Sequence, residues 1–325
     1  MYVAGCFELH ALADNYVDTV NVPGLKGLLK VDMEKTRAEY KSLQQLIGNR
    51  GPTKSQDLDV EIPEGLIQHE HVTNTLNAHK WPPCFSRPNV TPDHAPYISA
   101  FPIGIVLNYS KGLCCSRTMK AWPRLSHLLT TWFAQQMPEF KFTTIQLNRN
   151  YGAKMHVDGN NHGLSAIMAL GDYTGGELWL YDPEEGTDEM EVKDNLRGYP
   201  ELKVGMKVRG KKLSIKHVFI LFDGNRPHAV FPFNGTRMSL VFFTRKNWMK
   251  MDANCRQAAL ENGFNIPDAD YMACGTDQQK AVSVGPGGAI NKRPEDVTQW
   301  WRPTTRHNPL QRRIRSRSTS RIRCS

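Results

Sequence analysis

At Lys141 the hydrophobic rhythm of the chain changes, and that change limits what it can fold into. Before it, apolar residues at 125, 128, 129, 132 and 133 recur at helical spacing behind Trp122-Pro123 and stop at Pro138. This is the pattern of an amphipathic helix with proline in its first turn. After it, Lys141–Asn148 has period two, and four more short segments read as strands: Ser165–Leu170, Gly176–Tyr181, His217–Phe222 and Met238–Phe243. Residues 171–176 supply a glycine-bearing turn. Short strands in succession predict a sandwich or jelly roll rather than a parallel sheet. The expected class is α+β with a mainly β core, the helix backing one sheet.

The flanks are less regular. Asp32 precedes a helical stripe (Met33, Tyr40, Leu43, Ile47) that stops at Gly48, a surface helix with an N-cap and a terminal glycine. Residues 49–65 read as a loop, His69 and His71 as surface histidines, and the six prolines between Trp81 and Pro102 as an irregular wrapping segment. Ile103–Leu107 is a short buried strand, and a helix is expected between Lys246 and Gly263. These readings divide the chain into an N-terminal extension (1–95), a β domain (96–250), a helical segment (251–275), and a flexible linker with a basic tail (276–325).

Charge is unevenly placed. The formal net charge is +9, yet the stretch from Arg302 to Ser325 holds eight arginines and no acid, leaving 33 basic against 32 acidic residues before it. Attraction of a polyanion to the body must therefore come from local patches. The tail lacks the apolar residues needed to order itself. Residues 182–216 form an insertion with an acidic first half and a basic second half, either a self-neutralising solvated loop or a rim of a site. Its basic half is the candidate phosphate track. No lysine or arginine precedes Lys26 and no apolar run is long enough for a membrane span. An intracellular protein, nuclear or cytoplasmic, with no membrane partner is expected. Seven scattered cysteines without a Cys-x-x-Cys read as reduced thiols.

The chemistry centres on Asn148-Arg-Asn-Tyr-Gly-Ala-Lys-Met-His156-Val-Asp158. On a strand, residues two apart share a face, so His156 and Asp158 can point at one ion. With 11 histidines and 32 acids in 325 positions, chance supplies about one such pair, so its surroundings must raise it. His228 offers a third ligand. Two histidines and a carboxylate on one face of a metal, with other positions open, suit non-haem Fe(II) oxygenases. Nine residues beyond His228 stand Arg237 and Ser239, whose planar fork and hydroxyl can hold a carboxylate. Trp179 and Tyr181 share a strand face and are assigned to sheet packing before any lining of a base pocket.

The order Asn148-Arg-Asn-Tyr…His156-Val-Asp158…Leu170-Gly-Asp-Tyr-Thr-Gly-Gly-Glu-Leu178…Phe222-Asp-Gly…His228…Arg237-Met-Ser239 resembles the Fe(II)/2-oxoglutarate dioxygenase superfamily. It is most similar there to the TET/JBP branch in its compact algal and protist form. The likeness spans residues 100–246. It implies a double-stranded β-helix, with His156, Asp158 and His228 holding Fe(II) and Arg237 and Ser239 holding the distal carboxylate of 2-oxoglutarate. Asn148, Asn150 or Tyr151 would give a further polar contact to it. O2 would be the co-substrate, and the reaction the hydroxylation of a C–H bond. A methylated base in DNA or RNA is the implied substrate, with a protein side chain or small molecule as the alternative. A catalytically inactive jelly-roll binding module is the reading from another class. Prolyl 4-hydroxylases share the ligand frame but typically carry lysine at the position of Arg237.

Overall fold

The computed structural model describes residues 57–84, 87, 90–92, 97–108 and 110–268. The helix expected near residues 32–48 and the linker and tail lie outside them. Thirteen strands are described: β1 (Pro83–Cys84), β2 (Ile98–Asn108), β3 (Gly112–Cys115), β4 (Thr144–Arg149), β5 (Asn161–Leu170), β6 (Tyr173–Gly175), β7 (Leu178–Tyr181), β8 (Asp188–Glu191), β9 (Lys207–Leu213), β10 (Ile220–Phe222), β11 (His228–Val230), β12 (Phe233–Gly235) and β13 (Met238–Arg245). The helices are α1 (His69–Ala78), α2 (Arg117–Ala121), α3 (Pro123–Gln136) and α4 (Ala253–Glu261), with a 3-10 turn at Trp248–Lys250.

The larger sheet runs β1-β2-β4-β13-β5-β10, with β3 hairpinned onto β2, and the facing sheet runs β11-β7-β9-β8. A bridge between His156 and His228 adds residues around 156 beside β11. In chain order the eight core segments are β4, the His156 segment, β5, β7, β9, β10, β11 and β13. The first, eighth, third and sixth lie side by side in one sheet, and the second, seventh, fourth and fifth in the other, with every neighbour pair antiparallel. This is a double-stranded β-helix, the jelly roll that the strand pattern predicts.

Alternation sorts the large sheet's side chains into two worlds. Ile145 and Leu147 of β4, Ala166, Met168 and Leu170 of β5, and Leu240 and Phe242 of β13 join the core under α3. Their odd-even partners Thr144, Gln146, Asn148, Ile167, Ser239 and Val241 face the interior between the sheets. The helix contributes Leu125, Leu128, Leu129, Trp132 and Phe133, and the Phe133 ring stacks on Phe242 with centroids 3.8 Å apart. Trp122, the N-cap of α3, makes no side-chain cap. Asp57 does so from a distance, its carboxylate accepting the Arg124 and Leu125 amides at 2.8 and 2.9 Å, where negative charge complements the helix dipole.

Several expectations need correction. The insertion at 182–216 is not merely a loop: it supplies β8 and β9, and β9 is an interior strand of the smaller sheet. Burial alternates at its start, but Gly210 holds a buried position and only Val208 and Leu213 are apolar, so the sequence carries little of that period. Most of its basic half is also used at home. Lys211 pairs with Asp182 at 2.9 Å and Glu185 at 2.6 Å, Lys212 pairs with Glu177 at 3.4 Å, and Lys216 donates to the Tyr173 carbonyl at 2.7 Å. His69, expected as a surface histidine, opens α1 half-buried and accepts from Trp132 Nε1 at 3.2 Å. The helix expected after Lys246 is split at Met251-Asp252, where Asp252 caps α4 through the Cys255 amide. Ile103–Leu107 lies in the second half of the 11-residue β2.

Candidate metal and co-substrate site

His156 and Asp158 do not sit on a regular strand. Their segment is held by three backbone hydrogen bonds: His156 and His228 exchange both of theirs at 3.0 Å, and the Asp158 amide donates to the Gly224 carbonyl at 2.7 Å. That pairing brings two distant histidines together, with ring centroids 4.2 Å apart. Asp158 lies between them, Oδ1 3.7 Å from His156 Nε2 and Oδ2 3.8 Å from His228 Nε2. One ligand atom from each residue falls within 4.8 Å of the others, the only such trio of candidate metal ligands among the described residues.

The protonation states suit a cation. His156 Nδ1 lies 2.7 Å from the Lys154 carbonyl and His228 Nδ1 2.8 Å from that of Arg226. A carbonyl can only accept, so each Nδ1 carries the proton and each Nε2 presents a lone pair to the centre. Burial, with His228 adding to it, pushes His156 down to about 3, so it stays neutral. Burial alone would raise Asp158, but His156, His228, Arg87 and a hydrogen bond from Asn161 outweigh it and hold the carboxyl below its ordinary range. Two imidazole nitrogens aimed inward and one carboxylate fit a divalent metal.

The second half of the site begins where β13 does. Arg237 and Ser239 have the same parity, and Ser239 pairs in register with Asn148 of β4. Asn148 Nδ2 donates to Ser239 Oγ at 3.2 Å, and the Tyr151 hydroxyl donates to Asn148 Oδ1 at 2.6 Å. Burial pushes Tyr151 up to about 12, so it remains a donor. Asn150 faces elsewhere: it adopts a left-handed φ of 52°, and its Oδ1 accepts the Arg237 amide at 2.8 Å.

Arg237 is 2% exposed, and its Nε and one terminal nitrogen have no hydrogen-bond partner. It lies against the Tyr173 and Phe233 rings, 5.7 and 5.5 Å from their centroids. Burial pulls its pKa down, against the nearby Tyr173 and Tyr151 hydroxyls. Gly176, at φ +72°, is needed for the fit, since a Cβ there would stand 2.9 Å from Arg237 Nε. Removing a guanidinium from water without an anion costs several kcal/mol. Donors orphaned in this way are ones that a carboxylate, such as that of 2-oxoglutarate, would satisfy.

His156, Asp158, His228, Asn148, Tyr151, Arg237 and Ser239 line one cavity of about 560 Å³ between the sheets. That volume falls within the range of about 300–1,000 Å³ typical of small-molecule sites. Its apolar wall includes Ile167, Leu178, Phe222, Val230 and Val241. Trp179 is not part of it: the ring is wholly buried in the other core and donates to the Asp188 carbonyl at 2.9 Å.

Sequence reasoning missed Arg87, Arg197 and Arg245, which also line the cavity, against Asp158 as its only acid. Arg87 comes from the proline-rich wrapping segment. Burial opposes its charge, but Tyr151 and Asp158 hold its guanidinium above the ordinary value. Arg197 comes from the insertion and lies beside Gly159. No local pattern marks either one. Gly176 was legible as half of a glycine pair, though not as a seat for Arg237.

No family model matches the chain, and no curated relative does. Among solved structures it is similar to an oxidoreductase of the 2OG-Fe(II) oxygenase family from Burkholderia pseudomallei, at 15% identity over 54% of this chain and 74% of that one, TM-score 0.31. It is also similar to NgTET1 in complex with 5mC DNA, at 14% identity over 57% and 69%, TM-score 0.31. A third is a prolyl hydroxylase from Trichoplax adhaerens in complex with a hypoxia inducible factor peptide fragment, at 13% identity over 61% and 82%, TM-score 0.30.

Proposed function

We propose that the protein is an Fe(II)- and 2-oxoglutarate-dependent dioxygenase that hydroxylates a C–H bond, its substrate a methylated base in nucleic acid. The observation that carries the enzymatic part is the coincidence, in one cavity, of a His-Asp-His trio and a buried arginine without an anion. His156, Asp158 and His228 would hold the metal, and Arg237 with Ser239 the distal carboxylate. When bound, iron with 2-oxoglutarate and O2 supplies oxygen insertion into a C–H bond, releasing succinate and carbon dioxide.

The chain's own residues set the conditions. The Lys154 and Arg226 carbonyls fix the tautomers of the two histidines. Asn161 steadies the Asp158 carboxylate, donating to Oδ2 at 3.3 Å. Tyr151 and Asn148 orient the Ser239 hydroxyl toward the carboxylate site. The apolar wall excludes water and so strengthens each of these contacts.

The nucleic-acid part is supported by charge. Four arginines against one acid line the cavity, in a body whose basic and acidic residues nearly balance. A base reaching this depth must leave its stack.

Three measurements test the reading. Asp158→Ala should abolish succinate formation, and persistent Fe(II)-dependent turnover would remove the ligand assignment. Mass spectrometry of methylated and unmethylated oligonucleotides should show a hydroxymethyl product only from the former; a product only on a peptide or metabolite would replace the substrate. If Fe(II) and 2-oxoglutarate added without oxygen give no visible absorption band, the chain is an inactive binding module.

A further inference from the structure

The face of β13 that begins at Arg237 in the interior ends at Arg245 on the cavity's rim. Eight residues of strand carry it about 26 Å outward. There a second cleft of about 310 Å³ adjoins the cavity, and the two share Leu107, Asn160 and Arg245 as lining. The second cleft adds Lys111 from the β2–β3 turn, and Lys246 and Lys250 from the segment after β13. Its only acid is Asp252, already engaged as the cap of α4. Lys111, Lys246 and Lys250 are exposed, and none forms an ion pair with a described residue. In the insertion, by comparison, Lys211 and Lys212 are held by acids, while Lys203 and Lys207 are exposed but line neither cleft.

Together the two clefts gather seven of the 33 basic residues that precede the tail, and two of the 32 acids. Exposed lysines along a track, with no aromatic ring among the cleft's lining residues, suit point-charge contacts to successive phosphates rather than base readout. We propose that this cleft holds the sugar-phosphate backbone of the strand whose base enters the cavity, a sequence-independent contact through Lys111, Lys246 and Lys250. The proposal rests on the nucleic-acid reading above, and it replaces the basic half of the insertion as the phosphate track.

The test is binding of a fluorescein-labelled single-stranded oligonucleotide to the full chain across a salt series. The triple variant Lys111→Gln/Lys246→Gln/Lys250→Gln should bind at least tenfold more weakly at low salt. Its slope of log K against log [salt] should be shallower by about 2, three contacts at roughly 0.7 each. A control triple, Lys120→Gln/Lys203→Gln/Lys207→Gln, removes equal charge from outside both clefts and leaves the basic tail untouched; it should bind like the parent. Equal losses in the two triples, no loss in the first, no binding by the parent, or equal displacement by polyglutamate would each overturn the track.

Lys246 also donates to the Gly159 carbonyl at 2.9 Å, so Lys111→Glu/Lys250→Glu, which spares it, should reproduce the loss with an unchanged melting temperature. Succinate release without oligonucleotide separates the two proposals. Parent activity that survives in the triple variant, with binding unaltered, removes only the track. Binding that depends on the three lysines in a chain that makes no succinate removes only the catalysis.

Discussion

A buried arginine with nothing to bind is a liability that a ligand must relieve. Arg237 keeps its charge inside the protein, cushioned by two aromatic faces and lacking an anion among the described residues. Two effects of Arg237→Met follow, with opposite signs. Without 2-oxoglutarate, the variant should melt at or above the parent temperature, because an uncompensated buried cation is replaced by an apolar side chain of similar length. The KM for 2-oxoglutarate should meanwhile rise on the order of 100-fold, since charge-assisted hydrogen bonds worth about 1.5–3 kcal/mol each are lost. Differential scanning fluorimetry and succinate assays on one preparation check both. A large loss of stability in the free variant would show that Arg237 is structural. The residue type was legible, since Arg-x-Ser follows His228; its orphaned state was not, because it depends on which side chains from β6, β12 and the Gly176 turn surround it.

At the scale of elements, α3 and the large sheet stabilise one another through ring contacts. Phe133 stacks on Phe242 and meets Phe140, Phe142 and Phe219 edge-on. Phe133→Ala should cost about 3–5 kcal/mol, read as a lower urea midpoint, with the metal site intact in the fraction that stays folded.

The smaller sheet carries a charge device instead. Burial would raise the Asp182 carboxyl, but Lys211 and the Glu185 amide outweigh it and hold it below its ordinary value. A lowered folded pKa gives stability that is present above the unfolded pKa, near 4, and disappears as pH falls through the folded one. The parent should therefore exceed Lys211→Met in urea stability at pH 7 by up to about 1 kcal/mol, and the gap should close as pH falls below the unfolded pKa and through the lowered folded one. A gap independent of pH would assign Lys211 a packing role only. Both α3 and the period-two strands could be read from the chain. β9 could not, because a strand with one wet face and five basic or glycine positions among seven carries little periodic signal.

For the molecule as a whole, the site joins segments from both sheets, so its ligands should stabilise the entire β-helix. Mn(II) as a redox-stable stand-in, at about 100 times its Kd, should add about 2.7 kcal/mol, a rise in melting temperature on the order of 5–10 °C for a domain of this size. Asp158→Ala should abolish that rise, and a variant that kept it would locate the metal elsewhere. Among the described residues no helix is long and apolar enough to cross a membrane.

The sequence by itself determined the strands β4, β5, β7, β10 and β13, because alternation is written in neighbours two residues apart. It also determined the chemical kinds available for a metal and a carboxylate. Only the tertiary structure decided that His156 and His228 meet, through two backbone hydrogen bonds between distant segments. It alone decided that Lys211 and Lys212 are paired with acids while Lys111, Lys246 and Lys250 are not, and that Arg87 and Arg197 turn into the cavity. Pairing register and charge neighbourhood depend on residues far apart along the chain, and no local period records them.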